Sequence, residues 1–115
     1  MQDQLIAFVE SLKVNARIAS FDEAATKQAV VLKTLSLLGW DTFNIDEVWP
    51  EYSVGGGNVD YSLRVGKDNK VFIEVKNTGK QLEDHQEQLL RYSFQAGVRL
   101  AVLTNGLSWW LYLPL

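Results

Sequence analysis

Two runs of alternating apolar and polar residues, joined by a short polar turn, constrain the fold of this chain more than any other feature. The runs cover residues 59–65 and 71–75, and residues 66–70 between them read GKDNK. Alternation with a period of two is typical of half-buried β-strands, and a turn of glycine, aspartate and asparagine between two such runs predicts a β-hairpin. The chain is therefore expected to build a sheet around an antiparallel pair.

The alternation also predicts which hairpin side chains share a face. The apolar face is expected to hold Val59, Tyr61, Leu63 and Val65 of the first strand and Val71, Ile73 and Val75 of the second. Because a one-residue slip would expose this whole face, the numbers of paired residues must sum to an even value. The most compact such register pairs Val65 with Val71, and it places Asp60 opposite Lys76 with Glu74 as a diagonal neighbour.

Helical patterns lie on both sides of the hairpin. Residues 4–13 predict a short amphipathic helix, and an S-x-x-E capping box at residues 20–23 opens a second helix that Gly39 ends. The predicted inward side chains of that second helix are Ala24, Gln28, Val31, Leu35 and Leu38. A third helix is predicted over residues 81–96. An apolar strand at residues 98–103 then precedes Asn105-Gly106, a strong hairpin signal.

The resulting order, α–α–β–β–β–α–β–β, predicts an α/β (mixed α+β) fold with a central mixed β-sheet flanked by helices. Pro50 limits any strand around it to an edge of that sheet or to a position at a strand end. A length of 115 residues predicts a single domain over residues 1–115. Because Pro114 follows an apolar strand so closely, we expect the domain to be a fragment of a longer chain.

Composition excludes several classes of function. The chain has no cysteine, which rules out disulfide scaffolds, thiolate zinc sites and cysteine nucleophiles and suits a reducing, cytoplasmic location. No apolar run reaches the ~18 residues of a membrane helix, so no membrane partner is expected. The net charge of −3 argues against a self-sufficient nucleic-acid binder. Residues 60–80 nevertheless hold a basic group: Arg64, Lys67, Lys70, Lys76 and Lys80.

The hairpin brings together the side chains best suited to chemistry. In the predicted register, the Asp60 and Glu74 carboxylates and the Lys76 ammonium converge on one face. Two carboxylates at such a separation suit Mg²⁺, which is usually held by one or two carboxylates with water and phosphate oxygens. A neighbouring lysine can orient an attacking water, so the set is typical of metal-assisted phosphodiester hydrolysis. The alternative is a cross-strand salt-bridge cluster on a solvated sheet face.

The spacing of these residues resembles the core motif of the PD-(D/E)xK nuclease superfamily, whose fold is restriction-endonuclease-like. The matching elements are residues 59–61 (VDY) and 72–76 (FIEVK). Further segments resemble the N-terminal nuclease domain of type I restriction enzyme R subunits, from about residue 20 to the end of the chain. They are residues 23–27 (EAATK), 38–41 (LGWD), 88–92 (QLLRY, a Q-x-x-x-Y element) and 103–106 (LTNG), with Trp109, Leu111 and Tyr112.

The resemblance implies a role for each matching residue. Asp60, Glu74 and the Val75 backbone carbonyl would bind Mg²⁺, for which Mn²⁺ would substitute, and Lys76 would position or activate the attacking water. Glu23 would help to hold the metal or its water shell, although the capping box explains this residue equally well. Gln88 and Tyr92, one helical turn apart, and Lys80 would support the site or contact nucleic acid. The alternative for this pair is that Tyr92 is a partly buried helix aromatic and Gln88 a solvated neighbour.

Two positions depart from the family pattern. Val59 stands where the superfamily name has proline, and Lys27 stands where arginine usually follows the threonine. Neither change removes a proposed metal ligand. The resemblance therefore implies a Mg²⁺-dependent DNA endonuclease that works with other domains or subunits of a restriction complex. The alternatives are a catalytically silent module on the same fold that binds nucleic acid or protein, and an assembly domain with ordinary salt bridges.

Overall fold

The structure is a computed structural model that describes residues 1–114. The helical elements, in chain order, are α1 (Gln2–Lys13), a 3₁₀ turn (Ile18–Ser20), α2 (Glu23–Thr26), a π-helical segment (Lys27–Val31), α3 (Leu32–Leu37), a second 3₁₀ turn (Leu82–Asp84) and α4 (Gln86–Ala96). The segments from α2 to α3 follow one another without a break. Within residues 1–114, no helix is both long and apolar enough to cross a bilayer.

Five strands form one mixed sheet in the order β1-β2-β3-β4-β5. They are β1 (Val48–Val54), β2 (Gly57–Val65), β3 (Asp68–Val75), β4 (Leu100–Thr104) and β5 (Trp109–Tyr112). The β3–β4 pair is parallel and α4 lies in the connection between them, whereas the other neighbours are antiparallel. This architecture confirms the predicted α/β fold class and the predicted order of elements, including the edge position of the Pro50 strand.

Apolar side chains are buried on both faces of the sheet. The core between the sheet and α4 consists of Val54, Val59, Phe72, Leu82, Leu89, Tyr92, Val98, Ala101 and Leu103. The core on the other face, between the sheet and the π-helical segment and α3, consists of Val31, Leu35, Val48, Tyr61, Leu63, Ile73, Val75 and Val102. Because both faces are covered, the central strands are buried between two helical layers, which removes them from water and limits solvent access to the strand ends.

The start of the second helix differs from the prediction. Asp22, and not Ser20, is the N-cap residue: its Oδ1 accepts a hydrogen bond from the Ala25 N–H at 2.7 Å. The Ser20 hydroxyl instead donates to the Arg17 carbonyl at 2.7 Å, within the preceding 3₁₀ turn. The cap is therefore shifted by two positions, because the 3₁₀ turn uses Ser20 before the helix begins.

The predicted inward stripe of that helix is only partly correct. Val31 and Leu35 are buried, but Ala24, Gln28 and Leu38 are exposed. The π-helical segment over Lys27–Val31 adds a residue to one turn, so both Val30 and Val31 face inward. Gly39 ends the helix as predicted, with a φ of 103°.

The hairpin has the predicted parity but not the predicted register. Leu63 pairs with Val71 and Tyr61 with Ile73, so β3 is shifted by two residues from the expected pairing of Val65 with Val71. The strands extend into the turn as far as Val65 and Asp68, and a bulge between Leu63 and Arg64 absorbs one residue. The predicted placement of Asp60 opposite Lys76 is therefore wrong, and Asp60 lies across from Glu74.

Candidate functional site

Three acidic residues form a row across three neighbouring strands. The β1–β2 ladder pairs Pro50 with Tyr61 and Tyr52 with Val59, which leaves Glu51 across from Asp60. The β2–β3 ladder, continued by one position beyond Tyr61 and Ile73, leaves Asp60 across from Glu74. We call Glu51, Asp60 and Glu74 the acidic row.

The strands are irregular at this row. Tyr61 packs under α3, but Val59, two residues earlier, packs under α4. The predicted common face for Val59 and Tyr61 is therefore wrong. Strand β1 changes faces at the same level, because Val48 packs under α3 and Val54 under α4. Glu51 has a φ of 51°, and among residues 1–114 it is the one non-glycine residue with a left-handed backbone. This conformation is costly for most residues that carry a side chain.

Backbone groups hold the Asp60 and Glu74 carboxylates in place. Asp60 Oδ2 accepts a hydrogen bond from the Val75 N–H at 2.6 Å. Glu74 Oε1 accepts one from the Asp60 N–H at 3.2 Å. The two acids are therefore joined through each other's strands, and Asp60 Oδ1 and Glu74 Oε2 remain for other partners.

Two lysines contact those remaining oxygens. Lys27 Nζ lies 2.7 Å from Asp60 Oδ1 and 3.4 Å from Glu51 Oε1. Lys76 Nζ lies 3.6 Å from Glu74 Oε2 and 3.9 Å from Glu23 Oε1. These contacts connect the charged groups from β1 to the first turn of α2, with the two carboxylates Asp60 and Glu74 adjacent at the centre. Four carboxylates and two ammonium groups give this cluster a charge of −2 when all are ionised.

Burial distinguishes this cluster from an ordinary surface ion pair. Asp60 is only 7% exposed, and the Lys27, Glu74 and Lys76 side chains are largely covered. Removing charged groups from water is costly, so a cluster of this kind does not fit the solvated sheet face of the salt-bridge alternative. Apolar side chains at this place would stabilise the fold more than these partly buried charges do.

Electrostatics within the cluster affect Glu74 most. Burial, followed by the neighbouring Asp60 carboxylate, raises the pKa of Glu74 from 4.5 to about 7, although Lys76 opposes the shift. Burial lowers the pKa of Lys27, but its contacts with Asp60 and Glu51 outweigh this effect and the net shift is upward. The two central carboxylates therefore repel each other, and a cation between them would relieve that repulsion.

The donor set fits a magnesium ion. Within the described part of the chain, no three histidine or acidic side chains converge as a metal cage. Mg²⁺ does not need one, because it is commonly bound through one or two carboxylates and keeps several waters. Asp60 and Glu74 supply two hard oxygen donors, and the Val75 N–H already bonds to Asp60. The oxygen of Asp60 that lacks a backbone partner is the one that Lys27 contacts.

The other predicted site residues fall into two groups. Glu23 lies in the first turn of α2 and reaches the cluster through Lys76. Gln88 and Tyr92 lie on α4, where Gln88 Nε2 donates to the Tyr92 hydroxyl at 3.1 Å. The Tyr92 ring packs on the glycine turn between β1 and β2, and within residues 1–114 neither side chain bonds to the acidic row. Lys80 is exposed in the loop after β3.

Sequence reasoning missed two members of the cluster, Lys27 and Glu51. Lys27 ends the segment 23–27 that resembles the nuclease family, where it was noted only as a lysine in place of the usual arginine. Its partner Asp60 is distant in the chain, and no local pattern predicts that pairing. Glu51 lies beside Pro50 in an acidic stretch, where nothing in the sequence predicts a positive φ.

Comparisons with known proteins assign the chain to a family. Searches of the curated proteins and of the solved structures gave no match. The family model of a domain of unknown function, DUF8371, matches residues 8–104. That range contains the acidic row, both of its lysines and Glu23. The chain therefore belongs to the DUF8371 family.

Proposed function

We propose that this chain is a Mg²⁺-dependent DNA endonuclease domain with a restriction-endonuclease-like core. The observation that carries the proposal is the joined pair of buried carboxylates, Asp60 and Glu74, with the Lys76 ammonium 3.6 Å from Glu74. Such a pair is unfavourable for the isolated fold and useful to a cation-dependent hydrolase. The resemblance of residues 59–76 to the PD-(D/E)xK motif agrees with this interpretation.

In the proposal, Asp60, Glu74 and the Val75 carbonyl hold the ion, and Mn²⁺ substitutes for Mg²⁺. A bound divalent ion would supply Lewis-acid stabilisation of the phosphoryl oxygens and acidify water in the site. Asp60 and Glu74 contribute by keeping their oxygens fixed through backbone donors, which lowers the reorganisation that binding requires. Their combined negative charge also favours a divalent over a monovalent cation.

Lys76 orients the attacking water and neutralises charge that develops on the phosphate. Water oxygen forms a bond to phosphorus while one bridging P–O bond breaks, the water proton leaves to solvent, and the released alkoxide takes up a proton. Glu23 contacts the same ammonium at 3.9 Å, so it restrains Lys76. Glu23 is therefore a positioning residue for Lys76 in this scheme, in addition to its place in the first helical turn.

The proposed substrate is DNA, which basic residues near the hairpin would contact through its phosphates. Lys80 is exposed beyond the end of β3 and is one such contact. Gln88 and Tyr92 serve instead by fixing α4 on the β1–β2 turn. With a net charge of −3, the chain relies on other domains or subunits of a restriction complex to bring DNA to it. A cytoplasmic location suits this partner set and the absence of cysteine.

A second candidate is a catalytically silent module on the same fold that binds nucleic acid or protein. Lys27 and Lys76 favour it, because both ammonium groups already partly neutralise the acidic cluster. This candidate predicts nucleic-acid or protein binding with no phosphodiester turnover.

A nicking assay on supercoiled plasmid tests the proposal. Wild type is incubated with plasmid in Mg²⁺, in Mn²⁺ and in chelator, beside Glu74→Gln and the control Glu87→Gln. Glu87 is an exposed acid of α4, so its variant has the same change of charge away from the acidic row. We expect nicks that require a divalent ion, persist in Glu87→Gln and fall at least about a hundredfold in Glu74→Gln, in line with the loss of a group acting in the transition state.

Two results would reject the endonuclease. One is intact plasmid in Mn²⁺ at all enzyme concentrations, which would favour the silent module if the chain still shifts DNA on a gel. The other is equal nicking by wild type and Glu74→Gln, which would identify a contaminating nuclease.

A further inference from the structure

We propose that Lys27 is an exchangeable counter-cation, which occupies the cation position at Asp60 in the ion-free chain and moves to Glu51 when a divalent ion binds. This inference rests on the proposed function, because it concerns the same cation site. It assigns roles to two residues, Lys27 and Glu51, that regulate access of the ion to that site.

Lys27 contacts the Asp60 oxygen that is most available to a metal ion. Asp60 Oδ2 is already bonded to the Val75 N–H, which leaves Oδ1 as the oxygen without a backbone partner in the described structure. Lys27 Nζ lies 2.7 Å from that Oδ1. A divalent ion that binds Asp60 through Oδ1 has to share that oxygen with the ammonium or displace it, and like charges at such a distance repel strongly.

Glu51 offers the displaced ammonium a second partner. Glu51 Oε1 lies 3.4 Å from Lys27 Nζ, so the ammonium can shift toward it by moving only the end of its flexible stem. The Glu51 side chain is 57% exposed, which allows it to follow the ammonium outward. Its backbone has a strained φ of 51°, and the strand register places the residue across from Asp60.

The helix geometry directs Lys27 to this place. Lys27 is the first residue of the π-helical segment, and the neighbouring Thr26 and Val30 are fully buried. The Lys27 ammonium reaches Asp60 of the sheet, whereas Lys33 of the following helix is exposed. Lys33 is therefore a suitable control, because it is the same residue type on the same continuous helix.

A double-mutant cycle of cation affinity tests the exchange. Mn²⁺ is titrated by calorimetry, at one pH and salt concentration, into wild type, Lys27→Met, Glu51→Gln, the double variant and Lys33→Met. We expect Lys27→Met to bind Mn²⁺ about tenfold more tightly, which is ~1.4 kcal/mol, and Lys33→Met to match wild type. Glu51→Gln should bind several-fold more weakly.

The cycle separates exchange from simple charge attraction. If Glu51 acts by receiving Lys27, its substitution changes Mn²⁺ affinity in wild type but by less than about twofold in the Lys27→Met background. If Glu51 acts only as a nearby negative charge, its substitution weakens binding equally in both backgrounds, and the inference is overturned. Circular dichroism checks folding, and Lys27→Gln, which keeps a donor for Asp60, replaces Lys27→Met if that variant does not fold.

The remaining outcomes distinguish this inference from the proposed function. Unchanged Mn²⁺ affinity in both Lys27→Met and Lys27→Gln overturns the exchange and leaves the endonuclease proposal intact. An absence of saturable Mn²⁺ binding in every variant overturns both.

Discussion

Glu74 accepts a hydrogen bond from the Asp60 backbone N–H, with 3.2 Å between Oε1 and the nitrogen. Asp60 Oδ2 in turn accepts a hydrogen bond at 2.6 Å from the N–H of Val75, the residue that follows Glu74. Each carboxylate is thus fixed by the strand that carries the other. Their distance depends on the register of β2 and β3, and a two-residue change in that register would make them diagonal neighbours and break both hydrogen bonds.

Glu74 should make the stability of the chain depend on pH. Its pKa is about 7 in the fold against an ordinary value of 4.5, so between these values the folded state binds more protons than the unfolded state. The free energy of unfolding should therefore fall as pH rises from about 4.5 to about 7, by on the order of 3 kcal/mol, and be flat above that range as far as this group is concerned.

Urea unfolding at a series of pH values measures this effect. Glu74→Gln should lose the fall and be more stable than wild type at pH 8, whereas the exposed control Glu87→Gln should follow the wild-type curve. Parallel curves for wild type and Glu74→Gln would show that Glu74 has no raised pKa.

The sequence predicted the pair of carboxylates, but not how they meet. Alternation gives the parity of a hairpin register because a one-residue slip exposes the core, but a two-residue slip keeps every face and leaves no signal. Which of two registers two residues apart is formed depends on the turn and on the bulge between Leu63 and Arg64, and the alternation of apolar residues encodes neither. The fold class was more predictable, because it depends on the order of long periodic segments.

The lysine partners of the row were less predictable for a different reason. Lys76 shares the E-x-K element with Glu74, so its position follows from the strand. Lys27 reaches Asp60 through the packing of the second helix on the sheet, a contact between residues far apart in the chain. The face change at Glu51 and Asp60 is likewise a tertiary effect, since it places Val54 and Val59 under α4 against the simple alternation.

The shifted helix cap gives a second stability prediction. Asp22→Ala removes the acceptor for the Ala25 N–H and should lower the free energy of unfolding by about 1 kcal/mol. Ser20→Ala removes only an exposed hydroxyl contact with the Arg17 carbonyl and should cost less than about 0.5 kcal/mol. Urea unfolding of the two variants measures both losses. A larger loss of unfolding free energy for Ser20→Ala than for Asp22→Ala would indicate that Ser20 caps the helix.

The contact between α4 and the β1–β2 turn gives a third prediction. A Cβ at Gly57 would collide with the Tyr92 hydroxyl, so Gly57→Ala should lower the free energy of unfolding by on the order of 1–3 kcal/mol. Tyr92→Phe removes the hydroxyl and its bond from Gln88, at a cost of about 1 kcal/mol.

Combining the two substitutions tests the contact itself. In the Tyr92→Phe background, Gly57→Ala should cost clearly less than it does in wild type, because the colliding oxygen is absent. Chemical denaturation of the four proteins gives the coupling. Additive losses would mean that the Tyr92 hydroxyl is not the group that the added methyl meets.

The central claim, that Asp60 and Glu74 form one divalent-cation site, is tested most directly by an NMR titration with Mg²⁺. The amide resonances of ¹⁵N-labelled protein report the site because the Asp60 and Val75 N–H groups bond to the two carboxylates. We predict saturable shifts that are largest at Asp60, Val75 and Lys76 in wild type and absent in Asp60→Asn, with the exposed-site control Asp84→Asn behaving as wild type. Shifts that persist in Asp60→Asn, or that are largest around the acidic residues Asp41, Asp46 and Glu47, would contradict the account.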